Sequence, residues 1–297
     1  MRILLSGATG FIGRSFIDSC AREYEIHCIV RQTSDTRCLD NKVAIHRFSE
    51  VKQLYDVASE IRPDVLIHLA GLFLSNHDED SIEELLHSNI VFSTVLFDAV
   101  NEAGCNKILN FGSYWQNYNG KDYCPVNLYA ATKQSVEDIL RFYSDAKGSR
   151  VITLTIFDTY GENDKRKKIL NIVNDLKDGD MLEMTGGEQR VYMVHISDII
   201  SAIKITIELL FREQEGDYQK FFLRDENPIR LRDLVDLMIR VQNKRVDIEY
   251  GAKPYREREI MNPDGIGRVL PGWKPEVSLE DGLKGMMNMK GRVEGGN

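Results

Sequence analysis

The stretch RILLSGATGFIG, residues 2–13, constrains this chain more than any other. An apolar run stops at Gly7 and a helical run, FIGRSFIDSCARE, begins at Phe11, with Gly7, Gly10 and Gly13 spaced three apart across the junction. Glycines between a strand and a helix allow a tight turn. They also let the backbone approach a diphosphate seated at the positive end of the helix. The first gap is wider than in G-x-G-x-x-G, yet the position at the opening of a strand–helix unit predicts dinucleotide binding.

The alternation continues. EIHCIV, KVAIH, DVLIHLAG, NKILNFGS and RVITLTIF read as strands; SEVKQLYDVASEI, SIEELLHSNIVFSTVLFDAVNEAG and EDILRFYSDAKG read as helices. Nearly continuous apolar strands are buried on both faces, so the pattern predicts an α/β fold, a Rossmann-type doubly wound parallel sheet. After Tyr160 the texture changes. GENDKRKK reads as a charged loop, MLEMTGGEQRVYMVHI as a hairpin or two short strands, SDIISAIKITIELLF and LRDLVDLMIRVQN as amphipathic helices, and the tail VEGGN as loose. We therefore divide the chain into an NADP-binding domain, residues 1–160, and a smaller C-terminal α/β substrate-binding region, residues 161–297. Residues near 190–212 are expected to pack back on the first domain.

Charge and cysteine usage narrow the class. Lys and Arg number 38 against 46 Asp and Glu, a net charge of −8, which suits no nucleic-acid backbone. No window approaches the roughly eighteen apolar residues of a membrane-spanning helix. The five cysteines show no C-x-x-C spacing, so neither a metal site nor a disulfide framework is expected, and the protein reads as reduced and cytoplasmic.

The second strand reports on the dinucleotide. HCIVRQTSDTR places Arg31 at the strand end, followed by Thr33, Ser34 and Arg37, with no acid before Asp35. An acid here accepts the ribose hydroxyls of NAD, whereas a guanidinium suits the 2′-phosphate of NADP. NADP, read by Arg31, is favoured over NAD; the alternative is a solvated surface arginine. Further along, NLYAATKQ puts Tyr129 and Lys133 one helical turn apart. Alone, such a pair is either an ordinary surface pair or a phenol whose pKa an ammonium lowers.

The glycine loop, HLAG and Tyr-x-x-x-Lys occur together in order, with PVNLYAATK, QRVYMVHISDII and VLPGWKPEVSLEDGLKGM. In combination, over essentially the full length, they resemble the extended short-chain dehydrogenase/reductases, a family of nucleotide-sugar epimerases, dehydratases and reductases. The resemblance implies that Gly7, Thr9, Gly10, Phe11, Ile12, Gly13, Arg31, Leu69 and Ala70 hold the dinucleotide together with Tyr129 and Lys133. It further implies that Ser113, in ILNFGSYWQN, completes a catalytic set with Tyr129 and Lys133. In that set Lys133 and the oxidised cofactor lower the phenol pKa from its usual value near 10, and Ser113 holds the substrate oxygen. Asn89, in LLHSNIVFST, takes a structural role, tying backbone and water near Lys133.

Departures from the family pattern narrow the reaction. Tyr114 and Trp115 stand where 4,6-dehydratases carry Asp-Glu, and Trp115 stands where GDP-fucose synthases carry Cys. The segment SYWQNYNGKDYCPVNLYAATKQ is most similar to the CDP-paratose and CDP-abequose synthases. The expectation is NADPH-dependent reduction of the C4 ketone of a CDP-linked 4-keto-3,6-dideoxyhexose, for a surface polysaccharide such as an O-antigen. Trp115 is either an apolar wall for the deoxygenated carbons or a core aromatic. Arg190 and Arg256 are expected to grip the nucleotide diphosphate, with surface ion pairing the alternative for each. Asp158 replaces the family's Asn, Val191 replaces its acid, and the run Asp164 to Lys168 reads as a solvated face near the nucleotide base. The competing functions are a nucleotide-sugar 4-epimerase, a reductase of dTDP- or GDP-linked sugars, and a silent NADP-binding sensor. A homodimer through residues 81–104 and the helix carrying Tyr129 is implied by the resemblance alone.

Overall fold

The computed structural model describes residues 1–39, 41–212, 214, 216–263 and 267–288; the VEGGN tail lies outside them. The first half runs β1 (Arg2–Ser6), α1 (Phe11–Cys20), β2 (Glu25–Arg31), β3 (Ala44–Phe48), α2 (Gln53–Ile61) and β4 (Val65–His68). It continues through α3 (Glu79–Leu86), a π-helical turn (His87–Val91), α4 (Phe92–Glu102), β5 (Lys107–Ser113), α5 (Leu128–Lys147) and β6 (Arg150–Ile156). Then come β7 (Asp158–Tyr160), α6 (Ile169–Asp175), β8 (Met181–Met184), β9 (Arg190–Val191), β10 (Met193–His195), α7 (Ile196–Arg212) and β11 (Tyr218–Leu223). The chain closes with β12 (Ile229–Arg230), α8 (Leu231–Gln242), β13 (Asp247–Tyr250) and α9 (Leu279–Asn288).

Seven parallel strands form the central sheet in the order β11-β6-β5-β4-β1-β2-β3. Successive side chains of a strand point to opposite faces, and the cores divide accordingly. Ile3 and Leu5 of β1 join Phe16, Ile17, Ile199 and Ile203 under α1 and α7. Leu4 faces the other way, with Leu54, Phe97, Val100, Val136 and Leu140 of α2, α4 and α5. This is the doubly wound arrangement that the apolar strands predict. Among the described residues no helix is long and apolar enough to cross a membrane.

Beyond β6 the chain leaves the sheet and returns to it. α7 packs against α1, β5 and β6, and β11 extends the sheet edge in parallel register with β6, Phe221 opposite Leu154. The sequence pattern did not reveal β11. The remaining elements wrap a separate small core of Leu170, Val173, Met184, Leu234, Met238, Leu283 and Met286. No hairpin forms within MLEMTGGEQRVYMVHI: β8 pairs with β13, β9 with β12 and β10 with β7. Each partner strand is supplied by a distant segment. Two of the family-like segments meet physically: Trp273 Nε1 donates to the Asp198 carbonyl at 2.9 Å, and the Asp198 carboxylate accepts from Glu276 and Val277 N–H.

The floor of the strand ends is pinned by polar contacts. His68, fully buried, bonds the Ser6 hydroxyl at 2.8 Å and the Ser93 hydroxyl at 2.9 Å. Burial, helped by the charge of Lys133, lowers its pKa to about 3, so it stays neutral in the fold. The unfolded chain then binds a proton near pH 6.5 that the native state refuses, and native stability falls as pH drops through that range. His68→Leu takes one partner from each of two buried hydroxyls, leaving Ser93 on the Asn89 carbonyl and Ser6 on the Ala70 N–H, and should cost about 1–3 kcal/mol at pH 7.5. In urea titrations that cost should shrink from pH 6.5 to 5, because only the wild type carries the histidine penalty.

Candidate active site

The glycine loop is a cradle that side chains would fill. Gly7 has φ +74°, and a Cβ there would lie 2.6 Å from Ala70 N and 2.7 Å from the Leu69 carbonyl carbon. A Cβ on Gly13 would strike the Gly7 carbonyl and lie 2.8 Å from Ala8 Cα, so α1 can pack on this turn only without one. Thr9 lies in the turn, Gly10 N donates to Gly7 O at 3.0 Å, and Gly10 forms the N-cap of α1. No side chain caps this helix and no acid occupies its first turn, which begins with Phe11 and Ile12. A helix start left in this state fits an anion, so the residues present fit a dinucleotide diphosphate. Arg31 ends β2 and is exposed. Asp35, the first acid after it, is bound by Arg37 at 2.7 Å, and that contact lowers its pKa. Arg47 of β3, unnoticed in the sequence, holds this loop through the carbonyls of Gln32 and Ser34 and the Thr36 hydroxyl.

Ser113, Tyr129 and Lys133 converge where β5 meets α5. Asn127 caps α5 by accepting from Ala130 N–H at 3.0 Å, which places Tyr129 in the first turn and Lys133 one turn on. Ser113 ends β5, and its hydroxyl lies beside the Tyr129 phenol. The protein alone does not show the lowered phenol pKa that the resemblance implies with the oxidised cofactor in place; the buried Lys133 ammonium donates to the Phe111 carbonyl at 3.0 Å. Burial pushes Tyr129 up to about 12, with the Ser113 hydroxyl opposing the shift. Burial likewise brings Lys133 down to about 8, against the attraction of Glu137. Asn89 sits at the π-helical turn, bridging Leu72 N–H and C=O and the Thr132 hydroxyl, which in turn donates to the Tyr129 carbonyl.

An aromatic shelf stands beside the phenol. Phe73, 55% exposed, meets the Tyr129 ring edge-to-face at 5.0 Å and the Trp115 ring at 5.4 Å. Trp115 is therefore no core aromatic. The Arg256 guanidinium lies over the Trp115 ring, 5.0 Å from its centroid. Phe73 escaped the sequence reading because a lone aromatic in a loop carries no periodic signal. Asp158 is held by Lys168 at 2.9 Å and by the Tyr114 hydroxyl at 3.2 Å; burial raises its pKa, but these partners win and it is lowered overall.

Two placements differ from expectation or stand apart. Asp164 to Lys168 is only in part a solvated face: Lys165 and Lys167 are exposed, but Arg166 grips the buried Asp164 carboxylate, bonds Thr159, and stacks 4.4 Å from the Phe11 ring at the start of α1. Arg190 lies on β9, where its guanidinium donates to the Pro228 carbonyl at 3.0 Å. Among the described residues no group of three or more His, Cys, Asp or Glu is arranged to hold a metal.

The profile of the NAD dependent epimerase/dehydratase family matches residues 3–219, and the chain belongs to that family. The CDP-abequose synthase of Yersinia pseudotuberculosis is 26% identical, covering 89% of this chain and 92% of that protein. The dTDP-4-dehydro-6-deoxyglucose reductase of Escherichia coli is 24% identical, covering 95% of each. In structure the chain is similar to the UDP-glucose 4-epimerase of Thermotoga maritima with UDP-glucose, at a TM-score of 0.83 and 20% identity, covering 99% of this chain and 100% of that one.

The cradle can be tested without any ligand. Gly7→Ala combines an unfavourable positive φ with a backbone clash, and should destabilise the protein by about 2 kcal/mol or more in chemical denaturation. Gly104→Ala is the control: it shares the positive φ but has open space for a Cβ, so it should cost distinctly less.

Proposed function

We propose that this protein is an NADPH-dependent ketoreductase that reduces the C4 ketone of a nucleotide-linked 4-keto-3,6-dideoxyhexose, with CDP as the nucleotide. The observation that carries the reading is the Phe73–Trp115 wall packed on Tyr129, with no free acid or base at residues 114 and 115. A 4,6-dehydration needs proton transfers at two carbons. Trp115 has no proton to exchange, while the Tyr114 hydroxyl is spent on Asp158 and burial holds its pKa well above the usual value.

NADPH, when bound, supplies the hydride. Gly7, Gly10, Gly13 and the start of α1 would hold its diphosphate, with Leu69 and Ala70 closing the turn and Arg166 bringing a cation to Phe11. Arg31 would take the 2′-phosphate, since the nearby Asp35 is already committed to Arg37. Ser113 would hold the ketone oxygen by a hydrogen bond, and Tyr129 would donate a proton to that oxygen. Reduction requires a protonated phenol, and a pKa near 12 keeps Tyr129 protonated at neutral pH. Lys133 stays charged below about pH 8 and, through its bond to the Phe111 carbonyl, would keep the end of β5 and Ser113 in place beside the phenol. Phe73 and Trp115 would accept carbons stripped of hydroxyls, and Arg256, stacked on Trp115, would reach the substrate diphosphate. The 26%-identical relative named CDP-abequose synthase and the reductase relative support this substrate class. A homodimer through α3, α4 and α5 belongs to the same reading; Leu86, Val91 and Phe142 are the exposed apolar side chains it would cover.

The decisive assay is NADPH oxidation with a CDP-4-keto-3,6-dideoxyhexose. Tyr129→Phe should lower kcat by about 10²- to 10⁴-fold while NADPH still binds, and kcat should decline above pH 8 as Lys133 loses its proton. Turnover that survives the substitution sinks the reading; tightly retained NAD⁺ with interconversion of epimers would replace it by an epimerase. Phe73→Ser should erode discrimination by about tenfold between a 3,6-dideoxy substrate and its 6-deoxy counterpart.

A further inference from the structure

Tyr129, Lys133 and Glu137 are spaced i, i+4, i+8 on α5 and so share one face of that helix. The third of them belongs to no motif used above, yet it is the most deeply committed carboxylate near the site. Glu137 is 1% exposed. Its Oε1 accepts from Gln116 Nε2 at 2.8 Å, and its Oε2 accepts from Lys220 Nζ at 2.9 Å and from the Tyr218 hydroxyl at 3.2 Å. Gln116 in turn offers its Oε1 to the backbone N–H of Ser113 at 2.8 Å. The strand makes room for this: a Cβ on Gly112 would lie 2.9 Å from Glu137 Oε1 and 3.0 Å from Gln116 Oε1. The end of β5 is thus held twice by α5, through Lys133 on the Phe111 carbonyl and through Glu137 and Gln116 on the Ser113 N–H.

The geometry points to Glu137 as a positioning residue for this site: through Gln116 it fixes Ser113 beside Tyr129, and it sets a carboxylate one helical turn from Lys133. This rests on the reading of Ser113, Tyr129 and Lys133 as the reacting set. The groups that face Glu137 are Lys133 and Arg141 on its own helix and Lys220 and Tyr218 on β11. Asp122 lies across a polar cavity of about 260 Å³ that Glu137 also lines. Arg141 is stacked on the Tyr218 ring, 4.3 Å from its centroid, and Lys220 is the cation bound to the carboxylate itself. The attraction of Glu137 opposes the burial that draws Lys133 down.

The charge effect is measured without substrate, on the whole protein carrying ε-¹³C-labelled lysine, with Lys133 assigned by its loss in Lys133→Arg. The wild-type resonance should titrate near pH 8, and in Glu137→Gln its midpoint should fall by about one pH unit, the low end of what one neighbouring opposite charge produces. A structural carboxylate would change the melting temperature and leave that midpoint in place, which overturns the charge role. The geometric role is read by Gln116→Ala and Glu137→Asp, both of which keep the charge. In each, the Lys133 midpoint should stay put while kcat falls about ten- to a hundredfold with little change in KM. Wild-type kcat in both variants overturns it, even if Glu137→Gln proves unable to fold. Should no nucleotide sugar be turned over, the reductase reading fails on its own, and the lysine titration still judges Glu137.

Discussion

The site depends on one grip: a helix holding the end of a strand by a charged hydrogen bond. Lys133 reaches across from α5 to the Phe111 carbonyl, two residues before Ser113. Burying an ammonium is costly, and here the cost is visible as a lysine brought down to about 8. The fold tolerates this because the same contact sets the distance between the helix that carries the phenol and the strand that carries the hydroxyl. Everything else nearby serves that spacing. Asn127 sets where α5 starts, Asn89 ties the Leu72 loop to Thr132, and His68 locks β4 to β1 and α4.

Protonation states in this pocket follow from exclusion of water more than from pairing. Tyr129 is held protonated and His68 neutral by burial, and Lys133 is weakened by it. Asp158 is the exception, since Lys168 and Tyr114 supply enough compensation to keep it ionised. A motif-based expectation that the lysine lowers the phenol pKa therefore describes a different electrostatic situation, one with further positive charge beside the phenol.

Much of the fold was legible because its signals are local. Apolar runs such as VLIH and RVITLTI announce buried parallel strands, and the glycine spacing announces the turn onto α1. Ser113, Tyr129, Lys133 and Asn89 stand together where the motifs lead one to expect. What escaped was non-local. β11 reads as the unremarkable YQKFFL, and only its pairing with β6 makes it part of the sheet. Phe73, Arg47 and Glu137 are single residues whose partners lie elsewhere in the chain, and no spacing rule finds them. Arg166 was misread because a run of charges looks solvated until Asp164 and Phe11 are seen around it.

The edge strand β11 has a consequence for how the molecule comes into being. Lys220 and Tyr218 complete the surroundings of a carboxylate on α5, some eighty residues earlier in the chain, and Phe221 fills the core under α7. A nascent chain that has emerged only through β6 presents an open parallel edge and a buried-to-be acid without its cation. Such an edge is a template for wrong pairing until its own strand arrives. Ribosomal order therefore makes the last strand to join the sheet both the seal of that edge and the final support of the pocket.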